Sequence, residues 1–182
     1  MGMAFLPTEP VARASAKRTI EFLATEEKLV IHGWRPVPTD DSTLSPISAR
    51  NMPHFEQFLV STVALDTGLA LDRAVYPLRQ RARTEAGVYF ASLSGRTTVY
   101  KGMLTTQQLP QVFPELLDER VESALSLVHS RFSTNTFPAW ELAHPYRLMA
   151  HNGEINTVKG NRNWMRAREA LLATDLIEGD LS

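Results

Sequence analysis

In "HSRFSTNTFPAWELAHPYRLMAHNGEINT", residues 129–157, polar side chains crowd into stretches whose neighbours are strand formers. In "SLVHSRFST", Leu127, His129, Arg131 and Ser133 fall on one face of an extended chain and Val128, Ser130, Phe132 and Thr134 on the other. An arginine set among Leu127, Val128 and Phe132 is expected to be partly buried, and a buried guanidinium needs an anion. That anion is either an Asp or Glu of the chain itself or a small-molecule carboxylate, which the planar fork holds in bidentate fashion. "MAHNGEI" poses a parallel choice. Asn152-Gly153 between strand residues is either a tight hairpin turn or an oxyanion hole, with the Gly153 N–H approaching a reacting atom and the Asn152 amide as second donor.

Other chemistries find less support. The chain has no cysteine, which excludes disulfides, thiolate metal sites and a cysteine nucleophile within these residues. His129, His144 and His151 have no HExxH-like spacing, so no metal site is expected. No GxGxxG or Walker spacing cradles a phosphate. The arginines at 73, 79, 81 and 83, and the basic "KGNRNWMRAR", read as solvated helix faces rather than nucleic-acid surfaces, because the formal charge is only −1.

The elements that must position these residues follow from pattern. A chain of 182 residues with 43% apolar content fits one globular domain. No apolar run is long enough to span a bilayer and the first residues do not form a signal peptide, so a soluble, cytoplasmic protein is expected, with neither membrane nor nucleic acid as partner. "MGMAFLP" reads as a strand without lead-in. Glu9-Pro10 opens a helix whose buried face carries Ala12, Ala16, Ile20 and Leu23. "KLVIHGWRPVP" and "HFEQFLVSTVAL" read as strands, with the polar loop "TDDSTLSP" between them. Leu71, Ala74, Val75, Leu78 and Ala82 mark a second helix, and "GVYFASLSGRTTVYKGML" a hairpin of two adjacent strands turning near Gly95. Short helical pieces in "QQLPQVFPELLDER" precede a strand over "SALSLVHSRFST". A last helix over "NRNWMRAREALLA" turns Trp164, Ala167 and Leu171 inward. Helices in separate blocks and strands paired in sequence argue for an α+β fold with largely antiparallel sheets.

The run "HSRFSTNTFPAWELAHPYRLMAHNGEINTVKGNRNWMRAR", with "YKGML", "PELLDER" and "GWRPVP", closely resembles the class II, N-terminal-nucleophile glutamine amidotransferase domain of glutamate synthase large subunits. The resemblance covers essentially the whole chain. It implies a four-layer αββα sandwich, of which residues 1–182 are the central portion of a single domain, incomplete at both ends. It also implies hydrolysis of L-glutamine to glutamate and ammonia, which passes on for glutamate synthesis from 2-oxoglutarate. Arg131 is then the grip on the glutamine α-carboxylate, with Thr134 and Asn135 in the same substrate loop, and Asn152 and Gly153 form the oxyanion hole. Partners implied are L-glutamine, the remainder of the large subunit and a small subunit; FMN and an iron–sulfur cluster belong elsewhere in the parent enzyme, and no cofactor is assigned here.

The chain departs from that pattern at the nucleophile. The family uses a cysteine at the mature N-terminus, with its own α-amino group as base; "MGMAFLP" matches a strand well downstream of it. The acidic residue that holds the glutamine α-amino group falls beyond position 182, and Asp180 does not match its setting. The chain alone is therefore expected to be inactive. A non-catalytic binding or scaffold module of the same fold is the alternative.

Overall fold

A computed structural model of the chain describes residues 1–131, 137–151, 157–169 and 171–175. At its centre lies strand β1 (Gly2–Leu6), buried along its whole length because it pairs on both sides. With β2 (Leu29–Pro36), β3 (His54–Thr62) and β4 (Tyr89–Leu93) it makes an antiparallel sheet of order β2-β3-β1-β4. Two bulges bend it, one where β1 meets β4 and one at His32 in β2.

Because side chains alternate along a strand, the sheet presents an apolar surface on each face. Ala4, Leu6, Phe58, Val60 and Phe90 face one way, where α1 (Pro10–Glu26) supplies Ile20 and Leu23 and α4 (Tyr76–Glu85) supplies Leu78 and Ala82. Met3, Phe5, Phe55 and Ala91 face the other way and meet Val99, Phe113, Trp140 and Val112, the last from α5 (Gln108–Val112). A 3-10 turn at Pro114–Leu117 completes that side. Polar residues on the sheet follow the same alternation: Glu56 pairs with Lys17 of α1 at 2.6 Å, whereas Gln57 on the opposite face bonds Arg35 and the Tyr100 hydroxyl.

The expected start of α1 is present. The Glu9 carboxylate caps it, accepting from Val11 N at 2.9 Å and Ala12 N at 2.6 Å, and Pro10 takes the first helical position where no N–H is needed. Ala16, Ile20 and Leu23 are buried, but Ala12 lies in the exposed first turns. The helix read over residues 71–82 is two, α3 (Gly68–Ala74) and α4, broken at Val75. Pro77 cannot donate to the ladder, and its ring crowds the carbonyl four residues back. The loop before β3 holds a further short helix, α2 (Pro46–Arg50), capped by the Ser45 hydroxyl.

Three expectations fail. Residues 97–101 form no strand: the Ser94 hydroxyl turns to the Asp72 carboxylate and to the N–H groups of Arg96 and Thr97, and β4 pairs with β1 instead. No hairpin forms at Gly95. Residues 123–131 are not a strand either; they run along the surface, with Leu125 and Val128 exposed. The last helix exists as α6 (Val158–Glu169), but Trp164, Ala167 and Leu171 are exposed and no described residue covers that face. Among the described residues no helix is long and apolar enough to cross a membrane. The α+β class with an antiparallel sheet holds.

Gly102 shows how closely the second core is packed. A methyl group there would fall inside contact distance of the Trp140 ring, which is buried, packs edge-on against Phe55 at 5.6 Å and donates its indole N–H to the Ser48 carbonyl at 3.1 Å. The ring has little freedom to retreat. Gly102→Ala should cost about 1–3 kcal/mol, read as a lower urea midpoint with an unchanged m-value; an unchanged midpoint would mean the Trp140 ring relaxes without loss.

Candidate functional site

Beyond the second face of the sheet two stretches of the chain come together. After β4, residues 97–101 lead to Lys101, which is 2% exposed, and the chain returns through a 3-10 turn at Trp140–Leu142 and the cis peptide His144–Pro145. Between Tyr146 and Met149 it reverses in a two-residue turn: each N–H donates to the other's carbonyl at 2.8 Å, and Arg147 takes a positive φ of 49°. A tight turn therefore exists in this region, but at Arg147–Leu148. The Asn152-Gly153 pair lies outside the described residues.

Three imidazoles meet where these segments converge. His144 stacks on His129 with ring centroids 4.7 Å apart, lies edge-on to His151 at 5.2 Å, and touches Tyr146 at 4.7 Å. The His129 ring has both nitrogens engaged by backbone: Nδ1 accepts from the Arg131 N–H at 3.2 Å, so the proton sits on Nε2, which donates to the His151 carbonyl at 3.1 Å. One ring thus ties the backbone at Arg131 to the backbone just before Asn152. His144 Nδ1 is buried with no hydrogen-bond partner. Burial holds its pKa below the usual imidazole value, with the neighbouring His129, His151 and Lys101 acting in the same direction. Among the described residues no group of three metal-ligating side chains converges on one point.

Lys101 lies beneath this cluster. Its Nζ donates to Tyr89 Oη at 2.7 Å, to the Glu141 carbonyl at 2.9 Å and to the Ala143 carbonyl at 2.8 Å, and stands over the Tyr89 and Tyr146 rings at 4.8 and 4.3 Å. Burial, with Arg79 adding to it, pushes the ammonium down to about 7 against the pull of Glu141. Burial likewise lifts Tyr89 to about 12, so its hydroxyl keeps its proton. An open cleft of about 90 Å³ runs between Lys101–Gly102, His129–Ser130 and His144–Pro145.

The structure treats the expected site residues unevenly. Arg131 is exposed and lies outside any strand, not partly buried in one, and among the described residues no strand pairs with residues 123–131. No carboxylate among the described residues pairs with it, which removes the ion-pair reading within that set. Thr134, Asn135, Asn152 and Gly153 lie outside the described residues. Sequence spacing did not foretell the meeting of His129, His144 and His151. The burial of Lys101 has one signal in the sequence, a lysine set amid Val99, Tyr100, Met103 and Leu104.

Comparison with known proteins bears on the whole chain. The family model of the class-II glutamine amidotransferases matches residues 1–182. The chain is 42% identical to the large chain of NADPH glutamate synthase from Bacillus subtilis, a match that covers 100% of this chain and 12% of that one. It is 41% identical to the chloroplastic ferredoxin-dependent glutamate synthase of Oryza sativa subsp. japonica over 98% of this chain and 12% of the relative. It is 44% identical to ferredoxin-dependent glutamate synthase 2 of Synechocystis over 93% and 11%. The chain therefore spans about one eighth of the length of these relatives, 12% in the first two. With its antiparallel sheet and its whole length matched, the chain belongs to the class-II glutamine amidotransferases.

Proposed function

We propose that this chain is the glutamine-binding and oxyanion-stabilising portion of the glutaminase domain of a glutamate synthase, which hydrolyses L-glutamine to glutamate and ammonia. The observation that carries this reading is the His129 ring, hydrogen-bonded to the backbone of both Arg131 and His151. A glutamine held by its α-carboxylate at Arg131 must place its side-chain amide a few ångströms away, and the neighbouring segment begins with Asn152 and Gly153. Thr134 and Asn135 flank the ligand on the Arg131 side. The exposure of Arg131 fits a guanidinium that waits for a ligand rather than one satisfied by the fold.

In this reading the nucleophile is a cysteine thiolate supplied from outside these 182 residues, which contain none. It attacks the side-chain amide carbon, and the oxyanion that forms takes hydrogen bonds from the Asn152 amide and the Gly153 N–H. Collapse expels ammonia as the proton taken from the thiol by its base passes to the amide nitrogen, and water then hydrolyses the thioester to glutamate and restores the thiol. The sheet described above is then one of two in a four-layer sandwich, with the second contributed by the rest of the domain. Ammonia passes to the remainder of the large subunit, where FMN and an iron–sulfur cluster are bound, with a small subunit as a further partner and the cytoplasm as the location. The second reading is a non-catalytic binding or scaffold module of the same fold, which keeps the pocket without the chemistry.

Arg131→Lys in the whole protein tests the ligand assignment. It keeps the charge and removes the bidentate fork, so a charge-assisted contact of roughly 1.5–3 kcal/mol is lost and glutamine KM should rise about ten-fold or more. The melting temperature should stay within about a degree, because exposed substitutions rarely change stability much. An unaltered KM would assign Arg131 to another task. Glutamine binding without ammonia release by the unaltered whole protein would favour the second reading.

A further inference from the structure

Lys101, 2% exposed, is a buried ionisable group for which the proposed hydrolysis has no use. Burying a lysine is costly unless its donors are matched, and here all three are, with two tyrosine ring faces adding to the match. Two of its acceptors belong to the chain some forty residues on. The Ala143 carbonyl is the one joined directly to His144, and the Glu141 carbonyl lies in the 3-10 turn that begins at Trp140. The third acceptor, Tyr89, starts β4, so the amine fastens that turn to the sheet.

We propose that Lys101 is a positioning residue for the glutamine site: it holds the Glu141–Ala143 turn against β4 and so fixes the His144–His129–His151 stack from which the Arg131 and Asn152 segments both start. The functional half rests on the glutaminase reading; the mechanical half stands on the hydrogen bonds alone. A purely structural lysine would stabilise the core without regard to this stack. Lys101 instead contacts the one turn that leads into it. Nor does the clamp need the charge. A neutral amine keeps two N–H bonds to the carbonyls and accepts the third from the Tyr89 hydroxyl, which retains its proton. Around the amine stand Tyr89 and Tyr146, Arg79 from α4, Glu141 from the turn and His144, and none of these has to change state for the contacts to persist.

The test uses the whole protein with two substitutions, Lys101→Met, which keeps the length and loses the donors, and Tyr89→Phe, which keeps the ring and loses one acceptor. Hydrogen exchange by mass spectrometry is read in a peptide over 143–151, where the Tyr146 and Met149 N–H groups are hydrogen-bonded, and over β1 and β3. Lys101→Met should speed exchange about ten-fold in the first and leave the strands unchanged, since local opening and global unfolding have separate free energies. Glutamine kcat/KM should fall about ten-fold or more, because a shift of about 1 Å in a positioned group costs that much or more. Tyr89→Phe should act in the same direction and less. Unchanged exchange over 143–151, or exchange rising equally in β1 and β3, would overturn the proposal. If Lys101→Met fails to fold, Tyr89→Phe decides: a small effect confined to 143–151 supports the clamp and none overturns it. Failure of the glutaminase reading is seen separately, as absence of ammonia release by the unaltered protein while the exchange pattern persists.

Discussion

Asn152→Ala in the whole protein should lower kcat for glutamine hydrolysis by about 10²–10³, with glutamine binding nearly unchanged. The two quantities separate because the carboxamide meets its load only when the amide carbonyl becomes an oxyanion. In the ground state the carbonyl oxygen carries little charge, and in the proposed reading the other end of the ligand is held at Arg131. An interaction made only in the transition state leaves KM alone and lowers kcat, by about 2.7–4 kcal/mol for one donor. Calorimetric glutamine affinity and steady-state ammonia release, measured on one preparation, make the comparison. Equal losses in both would place Asn152 in ground-state binding, and a variant that failed to fold would return Asn152-Gly153 to the role of a plain turn.

The parts of the fold that were legible in the sequence are those whose signal is local. The Glu9-Pro10 start of α1, the Ile20 and Leu23 stripe and the strands β1 to β4 all announce themselves within a few residues, and the structure has them. The failures come from pairings that sequence cannot see. Leu127, Val128 and Phe132 are good strand residues, but strand propensity expresses packing against a partner, and residues 123–131 have none among the described residues. Ser94-Gly95 resembles a hairpin turn, yet the Asp72 carboxylate, 22 residues away, takes the Ser94 hydroxyl at 2.7 Å and the turn leads off the sheet. Arg147–Leu148, with no Asn or Gly, makes a turn that composition would not select. The site divides the same way. Arg131 stands out as a charge among apolar residues, whereas Lys101 looks like an ordinary surface lysine, because its burial depends on two carbonyls supplied about forty residues later.

Residues 1–182 alone should release no ammonia from glutamine, the largest effect expected of any experiment proposed for this chain. Hydrolysis by the family's route needs a nucleophile whose proton a nearby base accepts, and no cysteine is present. The substitutes can be checked one by one. Ser130 borders the cleft, but the neighbouring imidazole of His129 spends both nitrogens on backbone and has no free lone pair for a hydroxyl proton. His144 keeps an unpartnered Nδ1, yet its observed contacts are to rings rather than to a hydroxyl. A serine and a histidine are hydrogen-bonded at Ser61–His32, 2.9 Å apart, where β3 meets the bulge in β2. That pair is solvent-facing, and no carboxylate among the described residues orients the imidazole, so it lacks the third member that makes such a pair a catalyst. Ammonia release should therefore sit at the rate without protein and recover when the same residues are part of a protein that supplies the terminal cysteine. Turnover by the 182 residues that vanished in Ser61→Ala would move the active site to the β2–β3 edge. Turnover that survived Ser61→Ala and vanished in Ser130→Ala would mean that the histidine stack rearranges to free a base.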